Sequence, residues 1–567
     1  MAFNSHVYAG KDRLENPPIV WTIAGSDSGG GAGIQADLLT MHDLSCHGCS
    51  VITTLTAQNS VNVSLVETVS ESMLLAQLNS LLADLPPVAI KIGLLASQVQ
   101  LNTLAQWLAQ VQPSVNLFVV LDPVMMASSG DRFSDQLLDF SPFAGLISVL
   151  TPNQHELTLL CQSMPVMSEL SATELCGSNR AEYNMIIAAK WLSDKFSCHV
   201  IAKGGDAMWQ QQAFDIYVSR IVKGASVEHN HQIFRLSSPR VNTINNHGCG
   251  CTLSSAIVCF IAHDFVVHDA VVLAKAYVTN GLKQSVTLGG GPGVLTRTGW
   301  PSDLTLMPYI SIINPSDLPQ NMVTESSSFV FKSVGRSLGV YPVLDDINTL
   351  IQVLKAGCKT VQYRAKLGNK ACYDEQQLEV NIINAIQLGR DFNAQLFIND
   401  HWQLALKHRA FGVHLGQEDT AGADLRAIAD AGLALGISSH SYFEALLAHQ
   451  FSPSYIALGH IFPTTTKQMP SKPQGINKLR RYVSLFGAHY PTVAIGGIDR
   501  DRLEVIAATG VGDVAVVRAV TQAENPADAY QSLQLTWLGF TKKLQQSQQI
   551  DYQHNKWQQV DCKEVIE

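Results

Sequence analysis

The chain has 567 residues, 46% of them hydrophobic and 15% charged, with a net charge of −9. That length exceeds one ordinary domain, and the composition fits large buried cores. The acidic balance gives no general pull toward nucleic acid or an anionic membrane. No apolar run reaches the roughly 18 residues of a membrane span, and Lys11, Asp12, Arg13 and Glu15 lack a signal peptide's order. The eleven cysteines sit mostly in apolar segments and read as reduced thiols of a cytoplasmic protein. Cys46 and Cys49 form a C-x-x-C with no second pair at zinc spacing, and read as structural.

In chain order, apolar runs predict strands at Ile19–Ala24, Ser50–Leu55, Ala89–Ile92, Leu117–Leu121, Ile147–Leu150 and Val200–Ala202, with a helix from about Cys251. Alternation with helical patterns implies an α/β unit: an open, mostly parallel sheet with helices on both faces, over residues 17–297. Residues 298–332 carry Trp300-Pro301-Ser302-Asp303, Pro315-Ser316-Asp317 and Thr324 to Ser328, which read as a linker. From 333 to 545, eight apolar segments recur: Leu338–Leu344, Thr360–Tyr363, Gln395–Ile398, Gly412–Leu415, Leu433–Ile437, Tyr455–Leu458, Thr492–Ile495 and Asp513–Val517. Eight β/α units of this size predict a TIM barrel, and residues 546–567 read as a loose polar tail.

Two glycine-rich turns in the first half point to chemistry. One runs from Gly25 through Gly33 after the first strand; it is not a P-loop, because no Gly-Lys-Ser/Thr follows. The other, His247-Gly248-Cys249-Gly250-Cys251-Thr252, opens a helix, where free N–H groups and the dipole favour an anion such as a phosphoryl group. Cys251 at that helix end is expected to have a lowered pKa and to serve as a base toward a substrate hydroxyl.

In the barrel, polar residues cluster just after the strands, on the face where TIM barrels carry their sites. Asp400 and Asp419 are hard oxygen ligands suited to Mg²⁺. Arg364, Lys366 and Lys467 offer charge to phosphate oxygens, and the Gly496-Gly497 turn and Val517-Arg518 follow strands seven and eight, a common phosphate site.

The first half resembles the ribokinase-like kinases, and among them the hydroxymethylpyrimidine/phosphomethylpyrimidine kinases. The resemblance rests on Ile23-Ala24-Gly25-Ser26-Asp27, Gly31 to Asp37, Thr56-Ala57-Gln58-Asn59, Lys91-Ile92-Gly93, Asp122-Pro123-Val124-Met125, Thr151-Pro152-Asn153 with Glu156, Lys203-Gly204-Gly205-Asp206, and Gly248 to Thr252. It implies that Gln58, Asp37 and Gly25 meet a pyrimidine, that Cys251 is the base, and that Gly248, Cys249 and Gly250 form an anion hole. It further implies that Asp122, Glu156 and Lys203 organise Mg²⁺ and ATP. The kinase family often has Thr where Cys249 stands, a position that acts through its backbone N–H.

The second half resembles thiamine-phosphate synthase through Gln362 to Lys366, Phe397 to Asp400, Gly412 to Asp419, Gly436 to Ser438, Gly459 to Lys467, Ala494 to Ile498 and Val516 to Ala519. By that resemblance Gln362, Arg364, Lys366, Asn399, Ser438 and Lys467 hold a pyrimidine diphosphate. Thr464, Thr466, Gly496, Gly497, Val517 and Arg518 hold a thiazole phosphate, and Asp400 and Asp419 bind Mg²⁺. The implied partners are these small molecules with ATP, plus a homo-oligomer; nucleic acid and membrane are not expected. The alternative is a pyridoxal-type kinase fused to a non-catalytic, ligand-sensing barrel.

Overall fold

Val20, Trp21, Ile23 and Ala24 are all buried within one strand, and a strand apolar toward both faces belongs inside a covered parallel sheet. The computed structural model places it there; it describes residues 16–125, 137–162, 181–205, 212–221, 231–314, 329–335, 337–365, 374–464 and 472–561. The chain divides into two compact units, one of residues 1–301 and 305–323, the other of 302–304 and 324–567.

The first unit holds a ten-stranded sheet. Its strands are β1 (Ile19–Asp27), β2 (His47–Gln58), β3 (Val63–Thr68), β4 (Ala89–Ile92), β5 (Phe118–Leu121), β6 (Val149–Leu150), β7 (His199–Lys203), β8 (Gln212–Val218), β9 (Ile233–Pro239) and β10 (Tyr309–Ile312). They lie in the order β10-β9-β8-β7-β6-β5-β4-β1-β2-β3. The six strands predicted from the sequence form the parallel centre. The four that were not predicted extend the two edges antiparallel. Alternation along β1 distributes the cover: Trp21 and Ile23 join the core under the helices Glu71–Asp84, Gln98–Val111 and Ala181–Phe196. Thr22 turns to the other face and meets the helix Gly33–Asp43, which packs with Cys249–Ala262.

The second unit is a closed barrel of β11 (Val340–Leu344), β12 (Thr360–Tyr363), β13 (Gln395–Asn399), β14 (Gly412–Leu415), β15 (Ala434–Ser439), β16 (Tyr455–Gly459), β17 (Thr492–Ile495) and β18 (Asp513–Val516). The eight predicted segments match these strands one for one. Three rings, Tyr341, Phe397 and Tyr455, fill the interior together with smaller residues such as Ala434, Ala457, Val493 and Ala515. The packing dictates where side chains must vanish. A Cβ at Gly436 would lie 2.2 Å from the Tyr455 ring, and one at Gly412 would lie 2.7 Å from the Phe397 ring.

Two expectations need correction. The stretch 298–332 is not a linker throughout. Trp300 packs edge-on against Phe260 at 4.8 Å, and Tyr309–Ile312 is the edge strand β10, paired with β9. At its far end, Lys332 donates its N–H to Leu433 O (3.1 Å) and lays its ammonium over Phe411. Nor is the chain loose from residue 546: the helix Pro526–Asp561 extends as far as Asp561, in a stretch rich in Gln, a good helix former. Its first turns are anchored by buried Tyr530, Leu533 and Trp537. Among the described residues, no helix is long and apolar enough to cross a membrane.

Gly436→Ala is expected to destabilise the barrel by about 1–3 kcal/mol through overpacking. In calorimetry the barrel's transition falls while that of the first unit stays in place.

Candidate active sites

In the first unit the two glycine turns are built against each other. Gly248 adopts φ +80° as the N-cap of Cys249–Ala262, and a Cβ there would lie 2.0 Å from Gly31 O. Gly33, at φ +55°, is pressed equally closely on Gly25 O. Only glycine satisfies both the left-handed backbone and the contact. Asp27 joins the two turns: it accepts N–H bonds from Gly29 (2.8 Å), Gly31 (3.1 Å) and Ala32 (2.9 Å), and meets His247 Nε2 at 3.1 Å. Burial would raise the Asp27 pKa, but His247 and the N–H groups outweigh it and hold the carboxyl below its ordinary value. No side chain caps Cys249–Ala262, so its N-terminal turn remains an anion-binding end.

Beside that turn lies a cluster of charge. Asp122 meets Lys203 Nζ at 2.7 Å and accepts from Thr151 Oγ1 at 3.1 Å, and Glu156 stands 3.9 Å from the same ammonium. A Cβ on Gly250 would lie 3.2 Å from Lys203 Nζ and 3.5 Å from Asp122, so glycine lets the helix start abut this cluster. Burial pushes the Cys251 thiol up to about 11, although Lys91 and the Gly33 N–H pull it down. The lowered pKa expected from the helix end is therefore overturned: desolvation exceeds the dipole here.

The barrel's strand ends enclose a cavity of about 450 Å³. Gln362 lies within β12 and Arg364 just past it, Asn399 ends β13 and Asp400 follows it, Asp419 follows β14 and Ser438 lies near the end of β15. Thr464, Gly496, Gly497, Val517 and Arg518 complete the wall after β16, β17 and β18. Gln362 Nε2 donates to Asn399 Oδ1 at 2.7 Å, which fixes both amides. Burial and the neighbouring Asp419 push the Asp400 carboxyl above its ordinary range, while Arg364 pulls it back. Two carboxylates crowding each other beside one guanidinium form a hard-oxygen set that a divalent cation would relieve. Among the described residues no cluster of three or more His, Cys, Asp or Glu ligands is assembled.

The family model for phosphomethylpyrimidine kinase matches residues 27–296, and that for thiamine monophosphate synthase matches 340–520. A thiamine-phosphate synthase of Salmonella paratyphi B is 52% identical over 199 residues, which is 35% of this chain and 92% of that protein. The chain belongs to the thiamine-phosphate synthase family through its barrel and to the phosphomethylpyrimidine kinase family through its first unit. Among solved structures, the phosphomethylpyrimidine kinase of Clostridium difficile 630 is 28% identical, with 46% of this chain and 99% of that one covered and a TM-score of 0.34. The pyridoxal kinase of Staphylococcus aureus is 27% identical, with 52% and 98% covered and a TM-score of 0.41.

The kinase unit thus brings together Gly248, Cys249, Gly250 and Cys251 at one helix start and sets Asp122, Glu156 and Lys203 beside it. Gln58 ends β2, where its backbone N–H and C=O are both bonded to Ser28 Oγ of the first glycine turn. Gly25 is glycine because a Cβ would meet Leu94 at 2.9 Å. Asp37 differs from the expectation of a pyrimidine contact. It is fully buried, and its oxygens are taken by Lys91 (2.7 Å), Thr22 (2.6 Å) and Ser255 (2.7 Å), so it braces the site from beneath. In the synthase barrel, eleven predicted residues line one cavity, while Lys366, Thr466 and Lys467 lie outside the described residues. The sequence reading gave no role to Lys91, Asp27 or His247 in the kinase. It also passed over His414, His440, His460 and Arg502, which line the barrel cavity. His414 and His460 sat within quoted motifs and were the available signal.

With the Cys251 thiol pushed up to about 11, its labelling by iodoacetamide is expected to rise about tenfold per pH unit from pH 7 to 10. Peptide mass spectrometry reads this directly, and a plateau below pH 9 contradicts it.

Proposed function

We propose that the kinase unit transfers the ATP γ-phosphoryl group to 4-amino-5-hydroxymethyl-2-methylpyrimidine and then to its monophosphate. The barrel then joins the resulting diphosphate to 4-methyl-5-(2-phosphoethyl)thiazole, giving thiamine monophosphate and pyrophosphate. The observation that carries this reading is that one cavity at the strand ends is lined by Gln362, Arg364, Asn399, Asp400, Asp419 and Ser438 together with Thr464 and the Gly496-Gly497 turn. One half's product is the other half's substrate, so the two family assignments support one pathway.

In the kinase, Gln58 faces the pyrimidine and Cys251 accepts the hydroxymethyl proton, with Lys91 and the Gly33 N–H offsetting part of the burial that raises its thiol. The N–H groups of the Gly248–Gly250 turn receive the charge that develops on the phosphoryl oxygens. Asp122, Glu156 and Lys203 hold the ATP phosphates and their Mg²⁺.

In the barrel, the bond between the pyrimidine methylene carbon and the diphosphate oxygen breaks, and its electron pair leaves with pyrophosphate. The thiazole nitrogen lone pair then forms the new C–N bond to the pyrimidine methyl cation. No proton moves, so the residues' task is to hold charge: Arg364, with Lys366 and Lys467, steadies the leaving pyrophosphate, and Gln362, Asn399 and Ser438 orient the pyrimidine. Asp400 and Asp419 would hold Mg²⁺, which when bound would neutralise leaving-group charge. Thr464, Thr466, Gly496, Gly497, Val517 and Arg518 hold the thiazole phosphate.

The test uses the full chain with hydroxymethylpyrimidine, thiazole phosphate, ATP and Mg²⁺, read by mass spectrometry. Thiamine phosphate is expected to form, and to fall at least about 100-fold in Asp400→Ala while the pyrimidine diphosphate accumulates. Cys251→Ala is expected to stop the reaction before any phosphorylated pyrimidine appears. Phosphorylated pyrimidine that never becomes thiamine phosphate reduces the barrel to a binding module. Phosphorylation of pyridoxal in preference to the pyrimidine overturns the kinase half of the reading.

A further inference from the structure

Four side chains form a continuous hydrogen-bonded row from the barrel's interior to its cavity. Tyr341 Oη lies 3.3 Å from Tyr455 Oη, Tyr455 Oη lies 2.7 Å from His414 Nδ1, and His414 Nε2 lies 2.7 Å from Ser438 Oγ. Tyr341, Tyr455 and His414 are buried, and Ser438 lines the cavity.

Protons can fill this row in two directions. In one, Tyr341 donates to Tyr455, Tyr455 donates to Nδ1, and Nε2–H donates to Ser438, whose own proton is left for the cavity. In the other, Ser438 donates to Nε2, Nδ1–H donates to Tyr455, and Tyr455 donates to Tyr341. The second direction leaves the Tyr341 hydroxyl proton with no acceptor among the described residues, inside a fully buried ring. A buried unpaired donor is the costlier arrangement, so the first direction prevails.

We propose that Tyr341 and Tyr455 act through His414 as positioning residues that commit Ser438 to donate its hydroxyl proton to the pyrimidine diphosphate. This rests on the synthase reading above and adds a direction to one of its contacts. An acceptor atom on the substrate, a ring nitrogen or a diphosphate oxygen, is then selected over a donor. Reversing the row would turn Ser438 into an acceptor toward the ligand and lose that selection.

The row makes a prediction that needs no catalysis. In the full chain labelled with ¹⁵N-histidine, the His414 ring is expected to show a protonated Nε2 and an unprotonated Nδ1, assigned by loss of the signal in His414→Gln. A protonated Nδ1 overturns the proposal and leaves the synthase reading intact. Kinetics supply the second test. Tyr455→Phe removes the hydroxyl that donates to Nδ1 and leaves that nitrogen without a partner in either tautomer, so the row no longer sets the direction. It is expected to raise KM for the pyrimidine diphosphate about five- to tenfold, with kcat changed less. In a Ser438→Ala background the same substitution is expected to change KM less than twofold, because no hydroxyl remains to be oriented. Full additivity of the two substitutions overturns the proposal, since it means that Tyr455 acts through packing alone.

Discussion

The kinase site depends on one buried ion pair. Lys91 Nζ meets Asp37 at 2.7 Å with both side chains fully buried. Burial would push the lysine's pKa down, but Asp37 and Asp122 outweigh it and keep the ammonium charged. Asp37 lies on the helix Gly33–Asp43, Lys91 on β4, Thr22 on β1 and Ser255 on Cys249–Ala262, so one carboxylate binds four elements at one point. A charge in such a place is tolerated only while fully partnered, and losing one partner costs about 3–5 kcal/mol. The pair therefore sets how Cys249–Ala262 sits against the first glycine turn, and so where Cys251 stands. The same ammonium pulls on the Cys251 thiol against the burial that raises it. One interaction serves the frame and the chemistry.

The barrel solves positioning with shape. Its rings fill the interior only because Gly412 and Gly436 leave room for Phe397 and Tyr455. Strand alternation then settles which residues reach the upper rim, and the rim is where Gln362, Asn399 and Ser438 emerge. Asp400 sits just past β13 at φ +62°, a left-handed conformation that aspartate adopts more readily than most residues. That bend turns the chain into the loop before Trp402–Lys407 while keeping the carboxyl in the cavity wall beside Asp419.

What could be read in the sequence follows the same physics. Strands buried on both faces, such as β1 and β4, are near-continuous apolar runs and stand out; so do all eight barrel strands, each bounded by a polar strand end. Edge strand β3 is largely exposed and carries no such run, and β10 is a four-residue strand among turn residues, so neither showed. Site residues were legible by type wherever chemistry sits at a strand end or a glycine-rich helix start. Lys91, His414 and Tyr455 were not, because their roles arise from partners 24 to 114 residues away in sequence. The Cys251 pKa failed for a related reason: a helix end is visible in the sequence, whereas the depth at which it is buried is a property of the packed unit.

A further point concerns charge. A chain with a net charge of −9 is assigned a polyanionic substrate, and the cavity wall even contains Asp400, Asp419 and Asp499. Net charge acts at long range through salt-screened water, whereas the cavity's own groups act at a few ångströms in a less polar medium. There Arg364, Arg502 and Arg518 face the ligand space together with the carboxylates. The wall is thus mixed in charge: Arg364 acts on Asp400, and Arg502 meets Asp499 at 3.4 Å. The aspartates have a place in such a wall: burial and Asp419 raise the Asp400 carboxyl, a strain that a divalent cation would relieve.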